Sequence, residues 1–304
     1  MSNKPWIELD REGYKKTLRR NGMTFIIFEL VQNGWDTDAT EVSVTLTPPD
    51  ENGKSKLKCV DNSSTGYKDL SQAHTLFGES EKKSDPTKRG RFNAGEKQVL
   101  CMMDEAKIAS TSGTIQFHAD GTREEVDAKT EAGSIFEGTL SLAQEEYDDI
   151  VRNVNQLFPP PETKTVFNGT EIKYRDPVRA FADTLPTDIA GASGILRREE
   201  RRTEVRLYEV KEGEKPCLYE MGLPVVETAI PKWHVDVQQK IPLNTEGMGI
   251  AAAAKPASQP ESEGLLPLFE LQLWKHSFES LRLLANQQTL PCPRARLRRF
   301  FHRS

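Results

Sequence analysis

The chain has 304 residues, 36% of them apolar and 29% charged, with a formal net charge of -5. That length suits about two domains and a sizeable core, and the charge gives no overall drive toward nucleic acid or membrane. No apolar run approaches a membrane span and the polar stretch from Met1 to Asp10 is not a signal peptide, so the reading is a cytoplasmic protein.

In chain order, apolar positions at helical spacing (Phe25, Phe28, Val31, Trp35) predict helix within residues 10–35. Residues 41–47 alternate as a half-buried strand, and residues 56–61 form a second strand ending in the polar cluster Asp61-Asn62-Ser63-Ser64-Thr65-Gly66. A helix-like stretch at 70–77, a charged loop at 78–91 and a helix from about Gly95 to Met103 follow. Residues 107–110 and 114–118 flank the Ser112-Gly113 turn as a hairpin; a strand over 138–142 leads into an acidic helix over 144–157. The triplet Pro159-Pro160-Pro161 marks the best boundary. Beyond it, residues 164–167 and 171–174 bracket an Asn168-Gly169 turn, and residues 203–210 and 217–221 bracket a turn at Glu212-Gly213. This predicts a smaller, largely antiparallel second domain. After Asn244 the composition changes: residues 247–264 read as a linker, 265–284 are Leu-rich, and Arg294, Arg296, Arg298, Arg299 and Arg303 make a basic end. The four cysteines (Cys59, Cys101, Cys217, Cys292) lack metal-ligand spacing and read as reduced, half-buried residues.

Four clusters carry chemistry. Glu29 and Asn33 stand one helical turn apart on one face, where a carboxylate can hold a water and a carboxamide a hydrated metal. Asp61 ends a strand before a small-residue turn; it could accept from an exocyclic amine while Gly66 lets a flat ring approach, or the cluster is an ordinary polar turn. In Lys88-Arg89-Gly90-Arg91-Phe92-Asn93-Ala94-Gly95-Glu96-Lys97, two glycines before a helix can offer N–H groups to phosphates; the bland alternative is a solvated basic loop. Gly138-Thr139 opens a strand and by itself says nothing.

In this order the clusters resemble the GHKL superfamily of ATPases: the gyrase B subunit, heat-shock chaperones, MutL and sensor histidine kinases. Glu29-Leu30-Val31-Gln32-Asn33, continuing through Asp36 to Ala39-Thr40, resembles the N box, most closely its MutL form. Residues 61–66 resemble the G1 box, 90–95 the G2 box, and 78–89 the ATP lid. Gly138-Thr139 is similar to the strand that closes the adenine pocket. One departure is clear: Ser63, Ser64 and Thr65 precede a single Gly66 where the usual G1 box has two glycines. The chain looks most like bacterial or phage ATP-binding proteins of undefined role.

The resemblance implies an α/β two-layer sandwich (the Bergerat ATP-binding fold) over residues 1–158. A smaller, transducer-like (S5-like) α+β domain spans 159–244, and a linker and atypical basic tail foreign to the family pattern span 245–304. It implies ATP and Mg2+ as cofactors, slow hydrolysis, and an ATP-dependent homodimer. Glu29 would be the general base and Lys240 would reach the γ-phosphate, although Lys240 also reads as an ordinary surface lysine. Asn33 would complete the Mg2+ shell and Asp36 would brace the pocket. Asp61, supported by Thr139, would read adenine; Gly66 would make room for it; Gly90, Asn93 and Gly95 would line the triphosphate. Lys82 and Lys83 would close with the lid. The alternative reading is a nucleotide-sensing binding module without significant hydrolysis, in a mobile-element or DNA-transaction complex with an unknown protein client.

Overall fold

The computed structural model describes residues 9–242, apart from 21, 68, 79–81, 83, 91–92, 192–195 and 229. Lys83, Cys292, the linker, the Leu-rich stretch and the arginine-rich end lie outside the described residues. All described residues fall within one unit, residues 1–256. No described helix is long and apolar enough to cross a membrane.

Helix α1 (Arg11–Arg19) starts at Asp10, whose carboxylate accepts from the Glu12 N–H at 3.1 Å. Helix α2 (Phe25–Trp35) is separate from it; the predicted single helical region is broken around Gly22, which sits at φ +84°. Strands β1 (Glu41–Leu46) and β2 (Lys54–Asp61) pair antiparallel. A short 3-10 turn at Leu70–Ala73 takes the place of the longer helix predicted there. Helix α3 (Gly95–Met102) runs directly into β3 (Met103–Ser110), followed by β4 (Gly113–Phe117), β5 (Arg123–Val126), β6 (Ser134–Ser141) and α4 (Gln144–Asn153). Strands β7 (Lys164–Phe167) and β8 (Thr170–Ile172) complete an eight-stranded mixed sheet in the order β5-β4-β3-β6-β2-β1-β7-β8.

β7 lies parallel to β1, so the first sheet continues past the proline triplet. The hairpin at 164–172, expected to open the second domain, instead completes the first sheet's edge. Its turn is anchored across the sheet: the Asn168 carboxamide accepts from the Leu46 N–H at 2.8 Å.

One face of this sheet packs on helices through a core that includes Ile26, Ile27 and Val31 of α2, Val42 and Val44 of β1, Val99 of α3 and Ile150 of α4. The close approach of α2 to β1 depends on Gly34, where a Cβ would stand 2.5 Å from Val42 Cγ2. The other face carries charge: Lys58 and Lys107 both pair with Glu137, at 2.8 and 2.9 Å.

Strands β9 (Arg179–Ala190), β10 (Leu196–Glu209), β11 (Cys217–Glu220), β12 (Leu223–Glu227) and β13 (Trp233–Val237) form a second sheet in the order β12-β11-β13-β10-β9. The predicted hairpin between residues 203–210 and 217–221 does not form. β13 inserts between β10 and β11, parallel to β11. The architecture is therefore α/β: an eight-stranded mixed sheet with helices, then a five-stranded sheet. At the joint, Phe158 stacks on Tyr219 at 4.2 Å, and its N–H donates to the Gly222 carbonyl at 3.0 Å.

Candidate functional site

The site grows from α2. Glu29 and Asn33 leave this helix and Asp36 caps its end; the helix buries its apolar residues in the core with β1. Spacings of four and three residues stack them along one side. The N-terminus of α3 faces them, because Gly95 lies against the Glu29 carboxylate and a side chain there would collide with it. Gly95 thus brings a helix start, with its outward N–H groups and positive dipole end, beside an acid.

Burial pushes the half-buried Glu29 carboxyl up to about 7. A hydrogen bond from the Gln32 carboxamide and the nearby Lys82 ammonium oppose that rise, while Asp36 and Glu96 add to it. A carboxylate tuned this way can exchange a proton with water near neutral pH.

Asp36 is the hub of the neighbouring loop. Its side chain is fully buried and pairs with Arg89 at 3.1 Å and Lys82 at 3.4 Å. It also accepts from the Arg89 N–H, at 3.1 Å to Oδ2, and from the Gly90 N–H at 3.4 Å. Arg89 then reaches the second sheet, donating twice to the Met221 carbonyl at 2.9 and 2.7 Å while its guanidinium lies 5.0 Å from the Trp35 ring. Gly90 clears the stem of Lys82: a Cβ there would stand 3.1 Å from Lys82 Cδ.

Asn33 accepts from the Lys82 ammonium at 3.4 Å. Asn93, at φ +53° before α3, donates to Gln72 at 2.9 Å and to the Thr75 carbonyl at 3.1 Å, and accepts from Lys97 at 2.7 Å. Asn93 therefore ties the 70–78 segment to the start of α3.

Asp61 ends β2 on the helix-covered face it shares with Leu57 and Cys59. Its Oδ1 accepts from the Ser63 N–H at 3.0 Å and the Ser63 hydroxyl at 2.5 Å, the geometry of an aspartate-led turn. Gly66, at φ +57°, leaves room for the chain itself: a Cβ there would stand 2.7 Å from Ser110 Oγ and would strike the Gly133 carbonyl. The phenol of Tyr67 donates to Glu96, and burial raises both acids, so Tyr67 keeps its proton. Glu96 in turn adds by its charge to the rise at Glu29.

Thr139 is not brought to Asp61. It pairs with Lys56 of β2 and Glu105 of β3, on the open face of the sheet. Asp61 lies five residue steps further along β2, about 16 Å away, and faces the helices. Ser134, at the other end of β6, is the strand's nearer neighbour to that position. The expected support of Asp61 by Thr139 is thus corrected by register and by face.

Lys240 is fully buried just beyond β13. Its ammonium donates to the Lys82 carbonyl and its N–H to the Pro86 carbonyl, the latter at 3.0 Å. It therefore braces Lys82 and Pro86 from just beyond the second sheet, and Lys82 in turn reaches Asn33.

Tyr67, Glu96 and Lys97 join the site without having been singled out. Glu96 and Lys97 follow directly on Gly95, and an acid–base pair in the first turn of a glycine-started helix was the available signal. Burial holds Lys97 below its usual range. Among the described residues no group of three or more His, Cys, Asp or Glu side chains is placed to hold a metal. Two clefts of about 250 and 290 Å³ border the site, one lined by Lys97 and the other by Trp35 and Arg89; neither is lined by Glu29, Asn33 or Asp61.

No family model matches the chain and no curated protein does. Among solved structures it is similar to one described as the N-terminal domain of a DNA repair protein. Identity is 12% and the TM-score 0.45, over 91% of this chain and 99% of that one. A likeness of that strength assigns no residue a role.

Proposed function

We propose that this chain binds ATP with Mg2+ and hydrolyses it slowly, as a GHKL-type ATPase with a Bergerat-type first domain and a transducer-like second one. The observation that carries the reading is the meeting of α2 and α3: Glu29 held against the start of α3, with Asn33 and Asp36 on the following turn. The groups suit a nucleotide's phosphates in kind. The start of α3 and the ammonium group of Lys97 favour anions. The Asn33 carboxamide oxygen suits a hard cation, and Lys82 already stands there as a cation would.

Asn33 would hold Mg2+ together with phosphate oxygens and waters, and the ion when bound would neutralise charge developing on the transferred phosphate. Glu29 would orient the attacking water and take its proton; its raised affinity for protons matches that task. Asp36 would hold Arg89 and Gly90 so that the loop entering α3 keeps its course. Asp61 would meet the base, Gly66 would shape the adjoining turn, and Gly90, Asn93 and Gly95 would line the phosphates. Lys240 would act on the phosphates through the segment it braces. An ATP-dependent homodimer belongs to the same reading.

Calorimetric titration with ATP, ADP and a non-hydrolysable analogue, with and without Mg2+, tests the central step. Heat of binding for ATP is expected. No binding by any of the three refutes the reading.

A further inference from the structure

Lys82 is held by three independent contacts. Its carbonyl accepts from the buried Lys240 ammonium, which fixes the backbone. Its stem passes Gly90, where an added Cβ would stand 3.1 Å from Lys82 Cδ. Its ammonium lies 3.4 Å from Asn33 Oδ1 and 3.4 Å from Asp36 Oδ2, close enough to Glu29 to oppose the rise in that carboxyl's proton affinity. An ammonium is a compact, strongly hydrated point charge. It therefore satisfies the same oxygen acceptors that a divalent ion would use.

We propose that Lys82 is a resident counter-ion in the cation position of this site, so that a divalent ion binds Asn33 only when the Lys82 ammonium leaves it. The proposal rests on the nucleotide reading for its purpose: it is a gate that keeps the site from taking up a bare ion. Its geometry stands on Asn33, Asp36, Gly90 and Lys240 alone.

The test uses the full chain and two probes. In the first, Mn2+ is titrated into the nucleotide-free protein and free Mn2+ is read by electron paramagnetic resonance. Lys82→Met is expected to bind Mn2+ about tenfold more tightly than wild type, and Lys82→Arg, which keeps the charge, to behave as wild type. Equal Mn2+ affinity in wild type and Lys82→Met overturns the proposal. In the second, ATP is titrated calorimetrically with and without Mg2+. The gain in ATP affinity on adding Mg2+ is expected to be larger in Lys82→Met than in wild type. If Lys82→Met instead loses ATP affinity equally in both conditions, Lys82 is a phosphate ligand and the counter-ion assignment falls. If ATP binds neither protein while the Mn2+ gain appears, the nucleotide reading falls and the counter-ion assignment stands. Thermal melts of both variants establish that they fold.

Discussion

Replacing Asp36 with asparagine removes one charge from a buried knot while keeping its shape. The Asp36 side chain is 0% exposed and its Arg89 partner 9%, so water cannot repair the loss. Asparagine also turns one acceptor into a donor, which would face the N–H groups of Arg89 and Gly90 that now donate to the carboxylate. Removing one member of a buried pair costs about 3–5 kcal/mol. Arg89 would keep the Met221 carbonyl and the Trp35 face, which points to the lower end, about 3 kcal/mol. At about 2–4 °C per kcal/mol for a chain of this size, the midpoint of thermal unfolding should fall by roughly 6–12 °C. Urea unfolding gives the free energy directly. A double-mutant cycle with Arg89→Met should yield a coupling above about 1 kcal/mol. A cost for Asp36→Asn below about 0.5 kcal/mol, or an additive cycle, would refute the reasoning.

Glu29→Ala should keep ATP affinity and lose phosphate release, and wild-type turnover should climb with pH through about 7 as the carboxyl ionises; unchanged turnover in the variant sinks the base role. Because folding raises the proton affinity of Glu29, the folded state is favoured while that carboxyl is protonated and loses the advantage as pH rises from the unfolded value of 4.5 through about 7. Glu29→Gln should therefore be more stable than wild type above that range, by at most a few kcal/mol, and denaturant titrations at acid and alkaline pH would expose a wrong sign. Gly34→Ala sets a helix-propensity gain of about 1 kcal/mol against overpacking of about 1–3 kcal/mol on Val42, which is 0% exposed; net destabilisation is expected in thermal melts, and net stabilisation would mean that α2 and β1 can separate at little cost. Thr139→Ala should leave ATP affinity unchanged while Asp61→Ala lowers it; the reverse order in calorimetry would contradict the strand register.

Much of the first sheet was legible because its signals are local. Residues 41–47 alternate with period two, and β1 forms there with Val42, Val44 and Leu46 all buried. Glu29, Asn33 and Asp36 sit where helical spacing puts them. Pairing was less legible. The Asn168-Gly169 hairpin was visible as a turn, yet its membership of the first sheet depends on a parallel contact with β1, more than a hundred residues away. Thr139 failed for a related reason: its position in a Gly-Thr pair carries no information about register, and one residue of register decides the face. The long hairpin of β9 and β10 escaped notice because the first half of β10 is charged on both faces, as at Arg197, Arg198, Glu199 and Glu200.

A short polar segment, residues 82–90, adds to the Phe158 contacts that join the two sheets. Lys82 and Arg89 fasten it to α2 through Asn33 and Asp36, Arg89 to the turn after β11 through the Met221 carbonyl, and Lys82 to the stretch after β13 through Lys240. The cleft of about 290 Å³ beside this segment is bordered by Trp35 of α2, by Lys88 and Arg89, and by Arg206 and Asp236 of the second sheet. Burial raises Asp236 to about 6, and it spends its carboxylate on the Gly222 N–H at 2.9 Å and on Gln238 at 2.6 Å. Asp236 thus shapes the very turn whose Met221 carbonyl receives Arg89. On the proposed reading, a ligand that draws the Lys82 ammonium off Asn33 acts on a residue whose carbonyl the second sheet already holds. The link from Lys82 to the second sheet then runs through the Lys240 ammonium, and Arg89→Met, which leaves Lys82 and Lys240 in place, cuts a separate fastening at the Met221 carbonyl.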